Sequence, residues 1–128
     1  MNISKLKRKD SIRLRVPYPV RQFIRALAVN KVTGEIIGKL FQEKIPHRGC
    51  RIDTSAKRMD ATDKAALFFH FYERSEIDQT IAYLDNNYDV IELGGSIGAN
   101  STQIVRRVIN TAKVIIVEAD PEICGILS

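Results

Sequence analysis

The sequence predicts a mixed α/β chain: the first part of an open parallel sheet, left incomplete, with helical segments ahead of it. Three observations carry that expectation. Val90, Ile91 and Leu93 form a short apolar strand, expected to be buried, which runs into the turn Gly94-Gly95-Ser96-Ile97-Gly98. Asn100 and Ser101 follow, with side-chain oxygens suited to the first free amides of a helix. Lys113-Val114-Ile115-Ile116-Val117 is a second apolar, β-branched run, ending at Glu118, 26 residues after Glu92. That spacing holds a helix and a returning strand. Open α/β sheets bind ligands at the carboxyl ends of such strands.

The other elements follow in order. Residues 1–11 are a charged, mobile start, and Ile12-Arg13-Leu14-Arg15-Val16 alternates like a short strand ended by Pro17 and Pro19. Val20, Phe23, Ile24, Leu27 and Ala28 have helical spacing, with Arg21 and Arg25 outside the stripe. This amphipathic helix is expected to dock on its own domain. Thr33-Gly34 punctuates the chain. Residues 35–45 are ambiguous, with a helical face of Ile36, Ile37, Leu40 and Phe41 weakened by Gly38. Pro46-His47-Arg48-Gly49 is a turn, and residues 51–58 are polar loop. Asp60 and Asp63 stand at cap spacing ahead of an apolar, aromatic helix over residues 60–72. Ser75 caps a second helix over residues 76–84. After the glycine turn, Ile104, Val105, Val108 and Ile109 are a buried helical face, and Arg106-Arg107 its solvated face. Asp120 and Pro121 cap and open a last helix.

Composition bounds the function. At 128 residues, 45% hydrophobic and 27% charged, the chain is globular and one domain or less. Residues 1–58 hold 15 Lys and Arg against 4 Asp and Glu, and residues 59–128 hold 5 against 11. The chain is therefore divided into a basic N-terminal extension, 1–58, and the start of the nucleotide-binding domain, 59–128. The basic residues are scattered with few aromatics among them, so the solvated reading is preferred and no nucleic-acid partner is expected. Cys50 and Cys124 have no metal or disulfide spacing, and no metal site is expected. No apolar segment resembles a signal peptide or a membrane span, and a cytoplasmic location is expected. His47 and His70 lie far apart in sequence, and each is expected to be an ordinary surface or core residue rather than a base.

The nucleotide is narrowed by what the turn lacks. A dinucleotide fingerprint needs a glycine where Ser96 stands, and no Walker lysine follows. The pattern E-x-G-x-x-x-G from Glu92 to Gly98, with an acid closing the next strand, is similar to the first motifs of class I S-adenosylmethionine-dependent methyltransferases, whose fold is Rossmann-like. More closely, residues 90–98 and 117–127, with Tyr72-Glu73 upstream, resemble the FkbM family of methyltransferases. The resemblance spans residues 46–128. It implies that Gly94, Gly95, Ser96 and Gly98 wrap the methionine part of S-adenosylmethionine with main-chain amides. It implies too that Glu92 helps place the cofactor's ammonium, that Glu118 takes its ribose hydroxyls, and that Tyr72, Glu73 and Glu76 sit near the entrance. The implied reaction is O-methylation of a sugar or small-metabolite hydroxyl, and no residue stands out as its base.

Two strands do not complete such a sheet, so the chain is expected to be the N-terminal portion of an enzyme, inactive by itself and at most a weak cofactor binder. The rivals are a nicotinamide-dependent oxidoreductase with a divergent loop, and a basic binding module for nucleic acid or anionic surfaces without catalysis.

Overall fold

The computed structural model describes residues 17–127. Among them are six helices and two sheets of two strands, a mixed α/β arrangement. The strand expected at residues 12–16 lies outside the described residues.

Helix α1 is Tyr18–Ala28, opened by Pro17 and Pro19, whose fixed φ suits a first turn. Its apolar stripe does not dock as expected: Phe23 is 65% exposed and Leu27 62%. Helix α2, Lys31–Leu40, begins at Asn30, whose side chain accepts from the Thr33 amide. Thr33-Gly34 is therefore helix, not punctuation. Gly34 is buried there because α2 crosses the start of the next helix at close range; a Cβ on Gly34 would run into the Ala61 carbonyl. Small size, not flexibility, is what this glycine supplies.

Strands β1, Lys44–His47, and β2, Cys50–Asp53, form an antiparallel hairpin pairing Ile45 with Ile52. The turn is narrower than expected: Pro46 and His47 belong to β1, and Arg48 and Gly49, both at positive φ, make the turn. The polar loop expected over residues 51–58 is corrected at its start, since cross-strand pairing and the burial of Ile52 outweigh the polarity of its neighbours. Helix α3, Ala61–Phe68, carries the expected cap, Asp60 accepting from the Asp63 amide at 2.8 Å. It ends sooner than expected. His70 and Glu73 take left-handed conformations, and the chain turns into α4, Arg74–Tyr83. Ser75 lies inside α4 and does not cap it; Glu73 occupies the cap position without a side-chain bond.

Strands β3, Val90–Leu93, and β4, Val114–Val117, pair in parallel, Val90 opposite Val114 and Leu93 opposite Val117. Helix α5, Ser101–Val105, lies between them in sequence, and α6, Pro121–Leu127, follows, with Asp120 accepting from the Glu122 amide. The expectation of a buried β3 is corrected. Ile91, Leu93, Ile115 and Val117 stand on one exposed face, because nothing among the described residues covers that side of the pair. Helix α5 is also shorter than expected, leaving Val105 and Ile109 exposed.

One core holds these parts together. Ile37, Ile45 and Ile52 pack in the same cluster as Leu67, Ile77, Ile97 and Ile123, so it draws on both sides of residue 58. Full burial of Ile45, Leu67 and Ile77 contributes about 1.5–3 kcal/mol each.

Candidate functional site

The site forms where β3 and β4 end side by side. Parallel pairing in register brings the residues after Leu93 and Val117 to the same edge, and the Gly94 amide donates to the Val117 carbonyl at 2.7 Å. Gly94 and Gly98 have φ of 78° and 80°, conformations that strain any side chain, and the space a Gly94 Cβ would occupy is open. Ser96 holds a φ of 47° without being glycine. The non-glycine left-handed residue is the strained member of the turn.

Glu118 closes the turn. Its Oε2 accepts the Ser96 amide at 2.8 Å, and its Oε1 accepts those of Ala119 at 2.8 Å and Asp120 at 3.0 Å. The amides of Asp120 and Ser96 hold its carboxyl below the usual range. A carboxylate offers about four lone-pair sites, so three internal bonds leave it one further acceptor position.

Glu92 is half-buried on β3. Asn100 donates its side-chain amide to Glu92 Oε1 at 2.9 Å and accepts from Thr80 Oγ1 at 2.8 Å. The expected helix cap is thereby corrected: Asn100 spends its side chain on Glu92 and Thr80, and Ser101 turns its hydroxyl back to Gly95. Glu92 Oε2 is buried with no hydrogen-bond partner. An orphaned carboxylate oxygen is costly and marks a place for a donor or a cation.

The loop between α3 and α4 completes the constellation. Tyr72 and Ser96 bring their hydroxyls to 3.2 Å. Glu73, in its left-handed conformation, has its carboxyl pushed up to about 7 by burial and by the neighbouring carboxylates of Glu76 and Glu92. Tyr72, Glu73 and Glu76, far from the glycine turn in sequence, therefore join its surroundings. The shifted acidity of Glu73 was missed from sequence, where Tyr72-Glu73 was notable only as a pair; burial and three converging acids have no local signature. A carboxyl near 7 exchanges protons at neutral pH, which suits a general base.

The turn does not present all its amides outward. Those of Gly94, Ser96 and Gly98 donate within the chain, the last to the Gly95 carbonyl at 2.9 Å. The two histidines also differ from expectation by meeting: their rings lie 4.9 Å apart, and His47 Nδ1 donates to the Leu67 carbonyl at 2.6 Å. Burial lowers the pKa of both. This pair sits at the hairpin. Cys50 and Cys124 are free thiols. No group of three metal-ligating side chains occurs among the described residues, and no described helix is long and apolar enough to cross a membrane.

Compared with protein families, with characterised proteins and with solved structures, the chain shows no significant match.

Proposed function

We propose that this chain carries the cofactor-binding part of a class I, Rossmann-like methyltransferase similar to the FkbM family, which uses S-adenosylmethionine to methylate a hydroxyl of a sugar or small metabolite. The observation that carries the reading is the Glu118 carboxylate at the end of β4, held 2.8 Å from the Ser96 amide of the glycine turn that ends β3. The residues present fit the group. The orphaned Oε2 of Glu92 suits an ammonium, Glu118 keeps a lone pair for a ribose hydroxyl, and the open space over Gly94 admits a ligand against the backbone.

S-adenosylmethionine, when bound, supplies a sulfonium methyl open to displacement. The chain's own work is to bind and position, which is where most of the rate of such a transfer arises. Glu92 is oriented by Asn100, Ser96 by Glu118 and Tyr72. Glu73, its carboxyl pushed up to about 7 by burial and the charges of Glu76 and Glu92, is the candidate to take the proton of the acceptor hydroxyl. The exposed apolar face of Ile91, Leu93, Ile115 and Val117 is where such a domain packs further elements, since parallel sheets are covered on both faces. With that face exposed, binding is expected to be weak.

Calorimetric titration of the 128-residue chain with S-adenosylmethionine tests the reading. A saturable isotherm weaker than about 1 μM, some −8 kcal/mol, is expected. Saturation by NAD with none by S-adenosylmethionine would overturn it in favour of an oxidoreductase.

A further inference from the structure

Away from the glycine turn, three arginines gather. Arg48 lies at the hairpin turn, and Arg106 and Arg107 follow the far end of α5. With Ile81 and Gln103 they line a cleft of about 480 Å³. Arg48 also lines the neighbouring cleft, of about 550 Å³, together with His47, His70 and Arg51. The solvated face expected of Arg106-Arg107 is corrected for Arg107 alone, which is half-buried; Arg106 is exposed and reaches across to the Arg48 carbonyl at 2.8 Å.

The charges in this cleft do not balance. Arg48 Nη2 pairs with Asp78 Oδ1 at 2.9 Å, and Asp78 is shared with Arg74 at 3.7 Å. Arg106 and Arg107 donate to neutral groups, the carbonyls of Arg48 and Gln103, the Cys50 sulfur and Gln103 Oε1. Burial and the charges of Arg106 and Arg48 lower the pKa of the Arg107 guanidinium. Three like charges meet beside one carboxylate, with Arg48 and Arg107 partly buried and Arg106 exposed.

Two donors on the residues that line the cleft are unspent. Arg48 Nε and Gln103 Nε2 are buried and have no hydrogen-bond partner. Gln103 is 2% exposed, and its orientation is fixed because its Oε1 accepts from Arg107. Capping of α5 explains the bond from Arg107 to the Gln103 carbonyl. It does not explain two buried N–H groups without a partner, which cost free energy until an acceptor arrives.

We propose that the cleft of Arg48, Gln103, Arg106 and Arg107 binds a phosphate-type oxyanion. Guanidinium forks match phosphate oxygens in geometry, and the two positive charges left after Asp78 match a phosphate dianion. The ligand is inorganic phosphate or a phosphate monoester, and the site is separate from the one at the glycine turn.

The test is titration of the full chain with inorganic phosphate and, separately, glycerol 3-phosphate, in buffers matched in ionic strength with sodium chloride. Saturable binding on the order of 1 mM or tighter is expected for at least one, and the tighter probe identifies the source. In the wild-type chain, the Gln103 side-chain amide resonance should shift with the same saturation, a readout that needs no variant. Arg107→Gln and Arg106→Gln should each weaken binding at least tenfold. Arg107→Lys, which keeps the charge and loses the fork, should weaken it less than Arg107→Gln. Three results would each overturn the proposal: no saturation above the chloride control, which leaves water to fill the cleft; unchanged affinity in folded Arg107→Gln and Arg107→Lys; or binding confined to a DNA duplex with steep salt dependence.

Discussion

The Ser96 main-chain N–H donates to Glu118 Oε2 at 2.8 Å, across 22 residues of sequence. This bond ties the strained residue of the glycine turn to the acid that ends the neighbouring strand. Removing the carboxylate therefore loosens the turn and, on the proposed function, removes the ribose acceptor as well. Glu118→Ala is expected to weaken S-adenosylmethionine binding at least tenfold. Glu122→Ala, which loses only its bond to the Lys57 amide, should leave it within about twofold. Equal losses in calorimetry would count against the ribose role.

Glu73 makes stability depend on pH with a definite sign. Its folded pKa, about 7, lies above the ordinary 4.5, so the folded chain holds the proton more tightly. Its contribution is full below about pH 4.5 and is lost as pH rises through 7. Glu73→Gln should stabilise the chain at pH 8 by about 1–2 kcal/mol, allowing for solvent screening, and have little effect at pH 4.5. Urea midpoints at both values check it.

The histidine pair acts in the opposite direction. Burial lowers both pKa values below the ordinary 6.5, so the unfolded chain takes up protons first. Their contribution is present above pH 6.5 and is lost as pH falls. His70→Asn should flatten the decline of thermal midpoint below pH 6.5; an unchanged slope would show that the pair does not control it.

Gly34 and Gly125 should respond differently to the same added methyl. Gly34→Ala drives a Cβ into the Ala61 backbone and should destabilise by about 3 kcal/mol. Gly125→Ala meets nothing within 4 Å, lies in α6, and should be neutral or stabilise by about 0.5–1 kcal/mol. Urea denaturation of the two variants makes the comparison.

Leu67 is fully buried in the core beneath the hairpin. Leu67→Ala should cost about 2–5 kcal/mol, the lost transfer energy plus the cavity. A smaller loss by the same denaturation would mean that the core refills the space.

Much of the local architecture was legible because it is written in short-range chemistry. The Asp60 cap, the Asp120-Pro121 helix start, the turn at Arg48-Gly49 and both strands of the parallel pair come from spacings of a few residues. The hairpin strands were hidden because four-residue runs such as Lys44–His47 and Cys50–Asp53 carry too little alternation to stand out, and pairing alone stabilises them. Gly34 looked like a break because no local rule distinguishes a glycine that bends the chain from one that makes room for another helix.

By itself, the sequence determined the mixed α/β class and the β3-turn-α5-β4 unit, since strand and turn preferences act within a few residues. Only the tertiary structure decided what those groups meet. It sent Asn100 to Glu92 instead of a helix amide, raised Glu73 among converging acids, joined His47 to His70 and gathered Arg48 with Arg106 and Arg107. Burial and charge act through space, so their effects on acidity and hydrogen bonding are set only when distant segments pack.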